Sequence, residues 1–356
     1  MSERTRALGA LYGLALGDAM GMPTQSMSRA TIAARYGTVT TLLAGAPDQP
    51  IAPNLPAGSI TDDTEQALLL ARLLLDGGGT VDPLDFADAL ERWEEGMVAR
   101  GSADLLGPST KRALQRLRAG EPADRAGRDG TTNGAAMRIT PVGIAVDGRA
   151  VDGRAVDGSA VDGSAVDSSG VAGPDLVDAV EAASRVTHNT GLGIAGAAAV
   201  AAAVSSGVAG APLTESLDAA RSAAAEGARR GHWVAGGDIA ARIGWAREYV
   251  HGMGRAALAD ALADVIGTSV AAQESVVAAF ALVEAMGSDP AEALALAAGV
   301  GGDTDTVAAM AGAVLGAHHG VDGLPADLLA TVRRVNDLDL APVADGLLTL
   351  RHRSRQ

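Results

Sequence analysis

The sequence predicts an all-α fold, and three observations lead to that prediction. Apolar residues recur at helical spacing in roughly a dozen segments separated by Gly, Pro and Asp. Alternating β-branched runs are scarce, and residues 38–43 are the one segment that suggests a short strand. No linker divides the 356 residues, which are enough to bury a sizeable core. Residues 1–356 are therefore predicted to form a single helical domain.

Three prolines mark predicted helix starts along the chain. Pro83 and Pro290 each follow an aspartate, and Pro325 precedes Ala326 and Asp327. Proline is tolerated in a first helical turn because its missing N–H would have no helical partner there. The sequence therefore predicts that one helix begins at each of these prolines.

Small side chains are expected to supply much of the core, because aromatic residues make up only 2% of the chain. Residues 307–317 are rich in Ala and Gly. Such residues let helices approach closely, so this segment is predicted to form a central helix packed on several sides. Residues 191–204 are the most apolar stretch, and we predict a buried helix there, too short to span a bilayer.

Composition excludes several classes of function. The chain carries 43 acidic and 28 basic residues, a formal net charge of −15. Binding to nucleic acids or anionic membranes depends on basic patches, so neither partner is expected. Cysteine is absent, which excludes disulfides, thiolate nucleophiles and zinc–sulfur sites. The N-terminal segment lacks the pattern of a secretory signal, and a cytoplasmic location is predicted.

A pentapeptide repeat interrupts the helical pattern. An Ala-Val-Asp-Gly-Arg unit, or its Ser variant, recurs between residues 145 and 169 with a period that matches neither helix nor strand. The repeated aspartates lack the spacing and the closing Glu of an EF-hand. Residues 145–172 are therefore predicted to be a low-complexity surface insert.

Two short acidic runs each stand immediately before a helix-patterned apolar segment. They are residues 61–64 (TDDT) and 301–306 (GGDTDT). Carboxylates and hydroxyls packed this densely repel one another unless a hard cation holds them, and Mg²⁺ and Mn²⁺ prefer oxygen ligands. The alternative is that these residues are ordinary helix N-caps, although a cap accounts for only one side chain in each run. The pattern favours two halves of one metal site.

Four further segments accompany the acidic runs. They are residues 13–23 (GLALGDAMGMP), 107–110 (GPST), 133–138 (NGAAMR) and 187–189 (THN). With them the chain resembles, over residues 8–316, the ADP-ribosylglycohydrolase family, which includes dinitrogenase reductase-activating glycohydrolases. The two acidic runs and the NGAAMR segment carry the specific part of this resemblance.

The resemblance implies an orthogonal multi-helix bundle with a binuclear Mg²⁺ or Mn²⁺ centre in a cleft, where a bond at the anomeric carbon of a ribose is hydrolysed. Two such cations would orient the substrate and lower the pKa of a bound water. The positions that match the family's metal ligands are Thr61, Asp62, Asp63, Asp303, Asp305 and Thr306. Asp62 and Asp305 are also assigned to the catalytic set.

Two other aspartates are candidates for supporting roles. Asp104 lies near the position where some relatives have a catalytic aspartate, and we predict that it is the acid/base. A loop aspartate that faces water is the alternative. Asp18 is expected to brace the metal ligands from behind.

Substrate contacts are expected from the glycine-containing loop at residues 133–135. Asn133, Gly134 and Ala135 resemble a loop that lines the ribose and phosphate pocket, where missing side chains let backbone N–H groups reach oxygen atoms. A plain turn is the alternative. Arg138 could meet a phosphate or form a structural ion pair. His188 matches a histidine near the substrate in relatives, and its alternative is a structural hydrogen-bond donor.

Gln25 is the main departure from the family pattern. Many relatives carry a glutamate at this spacing, and an amide cannot act as a general base. Gln25 is therefore assigned to substrate binding. The leading hypothesis is a hydrolase that removes ADP-ribose from a protein or from another ribosyl substrate. An N-glycosidase acting on a nucleoside or small ribosyl metabolite and a non-catalytic protein that binds metal and ADP-ribose remain as alternatives.

Overall fold

The structure is a computed structural model that describes residues 1–148 and 176–353. These residues form eighteen α-helices, and the prediction of an all-α fold is confirmed. In chain order the helices are α1 (Glu3–Gly21), α2 (Arg29–Tyr36), α3 (Asp62–Asp76), α4 (Pro83–Ala99), α5 (Pro108–Arg118), α6 (Ala123–Ala126), α7 (Gly134–Met137), α8 (Thr140–Ala145), α9 (Leu176–His188), α10 (Gly191–Ala209), α11 (Leu213–Gly227), α12 (Ile239–Val250), α13 (Arg255–Asp260), α14 (Ala272–Met286), α15 (Pro290–Ala297), α16 (Thr304–His319), α17 (Ala326–Val335) and α18 (Ala341–Arg353).

No β-strand occurs in residues 1–148 or 176–353, where isolated bridges are the only extended pairings. The prediction of a short strand at residues 38–43 is wrong, because this segment is irregular. Val39 and Leu42 are the buried residues there, and their side chains anchor the loop to the core. The predicted insert at 145–172 starts with the last residue of α8 and lies outside the described residues from position 149 onward.

The three proline-marked helix starts are confirmed. α4 begins at Pro83 and α15 at Pro290, each with the preceding aspartate as its N-cap. The carboxylate of Asp82 accepts hydrogen bonds from two backbone N–H groups of the first turn, as expected for such a cap. Pro325 is the residue immediately before α17.

A seam of glycines joins α1 to α16, the helix that contains the predicted central segment. The α1 glycines that face α16 recur every fourth residue, at Gly9, Gly13, Gly17 and Gly21. A methyl group on Gly13 would collide with the carbonyl oxygen of Gly312, and one on Gly17 with that of Ala308. The two helices therefore pack backbone against backbone along most of their length. At one end of the seam, Gly21 lies against the backbone of Asp305.

Helix α10 passes through the core and contacts α7, α8, α9, α11, α14 and α16. It is longer than the predicted 191–204, because it continues to Ala209 and ends at Gly210, whose φ of 90° breaks the helix. By length and composition alone α10 could cross a membrane, but 89% of the apolar window that passes this test is buried inside the fold. The prediction that this stretch is a buried helix is confirmed.

Candidate active site

Both acidic runs open onto one cleft. The cleft encloses about 670 Å³, a volume that includes its solvent-filled mouth. The predicted site residues that line it are Gln25, Asp62, Asp104, Asn133, Gly134, Asp303, Asp305 and Thr306. The structure thus brings together residues that lie far apart in the sequence.

The first acidic run forms the start of α3, and Asp18 from α1 caps it. The Asp18 carboxylate accepts hydrogen bonds from the backbone N–H groups of Thr61 and Thr64 and from both hydroxyls, at 2.5–3.2 Å. Asp18 is fully buried, and burial raises its pKa to about 6, although these four donors act in the opposite direction. Because α1 supplies the cap, Asp62 and Asp63 are not needed for it. The expected bracing role of Asp18 is therefore matched by direct contacts.

Asp104 lies beside Asp62 in the cleft. The backbone N–H of Asp62 donates to Oδ2 of Asp104 at 3.0 Å, and Nε2 of Gln66 donates to Oδ2 of Asp62 at 3.1 Å. Burial, followed by the charge of Asp104, raises the pKa of Asp62 well above its usual range. Burial and then the charge of Asp305 raise the pKa of Asp104 in the same way. Asp104 is only 3% exposed, so the alternative of a loop aspartate facing water is wrong.

The second acidic run forms the start of α16. Its N-cap residue, Asp303, makes no capping bond with its side chain and instead accepts a hydrogen bond from Nδ2 of Asn133 at 2.5 Å. The hydroxyl of Thr306 donates to Oδ2 of Asp63 at 3.3 Å and so links the two runs directly. Burial, then the charges of Asp303 and Asp18, raise the pKa of Asp305 well above its usual range.

The donor set fits a hard cation. Oδ1 of Asp63 and Oδ1 of Asp305 are buried and have no hydrogen-bond partner among the described residues. Unpartnered buried carboxylate oxygens are costly unless a cation binds them. In residues 1–148 and 176–353, however, no three His, Cys, Asp or Glu side chains are close enough to enclose an ion. The fit therefore depends on these free oxygens and on the oxygen-only chemistry of the set.

Ordinary capping does not explain the two runs. The side chains of Thr61 and Asp303 stand at the N-cap positions of α3 and α16, but neither makes a capping hydrogen bond. The alternative that these residues are merely helix caps is wrong for both N-cap side chains.

A tight turn presents Gln25 to the cleft. The N–H of Met27 donates to the carbonyl of Thr24 at 3.2 Å, and Gln25 (φ −56°, ψ 144°) and Ser26 (φ 60°) occupy the corner of a type II turn. Nε2 of Gln49 holds the Gln25 carbonyl at 3.0 Å. Nε2 of Gln25 is buried and has no partner among the described residues. Gln25 therefore lines the cleft and carries a buried hydrogen-bond donor that has no protein partner in the described chain.

The loop at the start of α7 is held by two side chains. Asn133 donates through Nδ2 to Ser275 at 3.0 Å as well as to Asp303. A methyl group on Gly134 would lie 2.9 Å from Cε1 of His188, so Gly134 is needed to accommodate this ring. The structure places Ala135 and His188 behind the loop, outside the set of cleft-lining residues. The expected direct contact of these two residues with substrate is corrected accordingly.

Arg138 does not reach the cleft. Its guanidinium is buried, donates to Gln66 and Thr187, and lies over the ring of Phe86 at 4.9 Å from the centroid. The first of its two interpretations, contact with a phosphate, is therefore wrong. The structural ion pair is also wrong, since both hydrogen-bond acceptors of Arg138 in the described chain are uncharged.

Among the cleft residues that sequence reasoning missed are three polar ones, Ser26, Gln66 and Thr132. Gln66 carried a usable signal, because it stands four residues after Asp62 on the same face of α3. Ser26 and Thr132 carried none, since their positions depend on pairing with Gly302 and Ala271, which are distant in the sequence.

Comparisons with known proteins show which family and which fold this chain resembles. The family model for ADP-ribosylglycohydrolases matches residues 1–356. The uncharacterized protein YegU of Escherichia coli (strain K12) is 35% identical over 97% of both chains. The ADP-ribosyl-dinitrogen reductase glycohydrolase of Rhodospirillum rubrum is 34% identical over 41% of this chain and 47% of its own. A solved ADP-ribosylglycohydrolase-related protein complex superposes with a TM-score of 0.67 at 28% identity, covering 98% of this chain and 99% of the other.

Proposed function

The chain belongs to the ADP-ribosylglycohydrolase family, and from that membership and the geometry of the cleft we propose that it is a metal-dependent hydrolase that removes ADP-ribose from a modified substrate. The family and its named relative support a hydrolase of the ADP-ribosylglycohydrolase type. The bond to be cleaved is an N- or O-glycosidic bond at the anomeric carbon of the ribose. An ADP-ribosylated protein is the proposed substrate class, by analogy with the name of the Rhodospirillum rubrum relative.

One observation carries the proposal. Two helix starts that meet at the cleft each carry an unpartnered, buried carboxylate oxygen, one on Asp305, which lines the cleft, and one on Asp63, which lies behind its lining. A purely structural cleft would leave this cost without compensation. The proposed ligands for two cations, Mg²⁺ or Mn²⁺, are Thr61, Asp62, Asp63, Asp303, Asp305 and Thr306. When bound, such cations would supply Lewis-acid polarisation and a water of lowered pKa.

The residues around the cation site have separable tasks. Gln66 and Asn133 donate hydrogen bonds to Asp62 and Asp303, which fixes the orientation of these two carboxylates. Asp104 accepts the N–H of Asp62 through Oδ2, so its Oδ1 can hold a proton for the leaving group. Its raised pKa suits the role of general acid in this oxygen-rich cleft.

Gln25 is compatible with two alternative functions. Its free Nε2–H donor favours binding of a substrate acceptor and provides no base. An N-glycosidase of a nucleoside or small ribosyl metabolite would need only such a donor and the ribose site. A non-catalytic protein that binds metal and ADP-ribose would also use it. The hydrolase of ADP-ribosylated substrates is preferred because the named relative carries that activity in its name.

The test is release of ADP-ribose or ribose from ADP-ribosylated proteins, ADP-ribosyl esters and nucleosides, with Mg²⁺ or Mn²⁺ and with EDTA. Asp305→Asn removes a free carboxylate from the cleft, and Asp322→Asn, an exposed aspartate beyond α16, is the matched control. We expect cation-dependent turnover that Asp305→Asn abolishes and Asp322→Asn preserves. Turnover of nucleosides alone would select the N-glycosidase, and binding of ADP-ribose without turnover would select the binding protein.

A further inference from the structure

A buried arginine stands behind the cleft with no carboxylate on its guanidinium. Arg138 is 1% exposed, and its Nη1 and Nη2 donate to Oε1 of Gln66 at 2.8 Å and to Oγ1 of Thr187 at 2.5 Å. An arginine has donors and no acceptor, so both partners are forced to accept. This requirement fixes the hydrogen-bond direction on two sides of Arg138.

The first side leads to the acidic run of α3. Because Oε1 of Gln66 faces Arg138, its amide nitrogen faces Asp62 and donates to Oδ2 at 3.1 Å. The amide orientation of Gln66 is therefore set by Arg138, and Asp62 receives a donor from it.

The second side of Arg138 leads through Thr187 and His188 to Thr132. Oγ1 of Thr187 lies 2.8 Å from Nδ1 of His188, and Nε2 of His188 lies 2.9 Å from Oγ1 of Thr132. Within the described part of the chain, Arg138 and His188 are the two hydrogen-bond partners of the Thr187 hydroxyl. Since Arg138 donates to this hydroxyl, its proton has one acceptor left, Nδ1 of His188. The reverse direction would bury the Thr187 proton without a partner, which is unfavourable.

The direction then continues to the cleft. Burial and the nearby Arg138 charge lower the pKa of His188 well below its usual range, so the ring is neutral. A neutral imidazole that accepts at Nδ1 carries its proton on Nε2 and donates it to Thr132. Oγ1 of Thr132 accepts this bond, and its own proton is left for an acceptor in the cleft that Thr132 lines.

We propose that Arg138 is a positioning residue that orders this hydrogen-bond chain through Thr187 and His188, and that Thr132 is a specificity residue whose hydroxyl donates to an unprotonated ligand oxygen, such as a phosphate oxygen of ADP-ribose. An isolated bridge to Ala271 holds the backbone of Thr132 in place at the cleft. The identity of the ligand rests on the proposed function, whereas the direction of the chain does not.

The direction is tested on the ligand-free protein by ¹⁵N-histidine NMR, with the His188 signals assigned through His188→Gln. We expect a neutral ring protonated on Nε2. Arg138→Met is expected to mix the two tautomers, because Thr187 no longer has an obligatory donor, and Arg138→Lys is expected to restore one. A ring protonated on Nδ1 in the unaltered protein, or one tautomer retained in a folded Arg138→Met, would overturn the proposal.

The role of Thr132 is tested by calorimetry with ADP-ribose in the presence of Mg²⁺. Thr132→Val removes the hydroxyl on the cleft surface with little change in volume, and Thr132→Ser is the matched variant that keeps it. We expect about ten- to a hundredfold weaker binding for the valine variant and near-normal binding for the serine variant. Equal affinities, or no binding by the unaltered protein, would overturn the role of Thr132. Turnover of the unaltered enzyme judges the proposed function separately.

Discussion

The starts of α3 and α16 share a sequence signature but are built in different ways. At α3 the backbone N–H groups are capped from outside by Asp18 of α1, so the run's own carboxylates are spared. At α16 no side chain of the run caps the helix, and its first carboxylate is held by Asn133. One helix start is thus supported by a buried acid and the other by a loop amide.

This difference bears on how both helix starts keep a buried carboxylate oxygen without a hydrogen-bond partner. A helix start attracts anions to its own N–H groups, which would draw the carboxylates of each run back towards the backbone. At α3 the Asp18 cap occupies these N–H groups, and at α16 Asn133 holds the carboxylate of Asp303. Oδ1 of Asp63 and Oδ1 of Asp305 have no hydrogen-bond partner among the described residues. The predictions below test the two helix starts, from the largest expected effect to the smallest.

Asp305→Asn should disrupt the start of α16 at the cleft, and it has the largest expected effect. We expect kcat/KM to fall by at least about a hundredfold, since a proposed ligand and catalytic carboxylate is lost. The metal-free protein should become no less stable, because removal of the charge relieves repulsion from Asp303 and Asp18. Steady-state kinetics and thermal unfolding in EDTA measure the two effects. Full activity would show that the oxygens of α16 do not take part in the reaction.

Asp18→Asn should weaken the capped start of α3. The amide can accept through one oxygen only, whereas the carboxylate now accepts from two N–H groups and two hydroxyls. We expect the free energy of unfolding to fall by about 2–4 kcal/mol, as for other losses in a buried hydrogen-bond network. Asp82→Asn, at the exposed cap of α4, should cost about 1 kcal/mol or less. Denaturant unfolding measures both, and equal losses would contradict the special role of Asp18.

Removal of cations should expose the repulsion among the carboxylates around the cleft. The folded-state pKa values of Asp62, Asp63, Asp104 and Asp305 are raised. Raised carboxyl pKa values contribute stability at low pH, and this contribution is lost as the pH rises through them. In EDTA the Tm should therefore be penalised more at about pH 8 than at about pH 5, and Mg²⁺ should restore a few degrees mainly at the higher pH. An Mg²⁺ effect that is equal at both pH values would contradict this account.

Ser26→Gly should stabilise the turn beside the start of α16 by a small amount. Ser26 has φ of 60° in the turn that presents Gln25, and its N–H donates to Gly302, which lies just before α16. Glycine adopts this conformation without the usual cost to an L-residue, so we expect a gain of up to about 1 kcal/mol. Asn54→Gly, at φ of 61°, should gain less because asparagine tolerates this region. A loss of stability on Ser26→Gly would show that the Ser26 side chain contributes contacts of its own.

The sequence predicted the fold class and the two acidic runs at the cleft because both leave local patterns. Helical periodicity and proline punctuation identified α4, α15 and α17, and the doubled acids identified both helix starts. Pairing between distant segments leaves no such pattern. The support that Asn133 gives to Asp303 therefore could not be foreseen.

Arg138 and His188 show the limit of residue-type reasoning. For each of them a substrate contact was one of two interpretations, yet both are buried behind the loop that lines the cleft with Asn133 and Gly134. Gly134 explains part of this difference, because its missing side chain makes room for the His188 ring. A glycine in a motif can serve the packing of a neighbour, and sequence alone does not distinguish this use from a phosphate contact.

The glycine seam has a consequence for the order of folding. Helix α1 is near the beginning of the chain and α16 near its end, and neither can be covered by bulky side chains of its own along this seam. During synthesis α1 must wait for almost the whole chain before its partner is available, and long-range contacts of this kind form slowly. Asp18 and Asp305 are carried by these two helices. The cleft should therefore be assembled among the last features of the fold, and a chain that stops before α16 should contain no cation site.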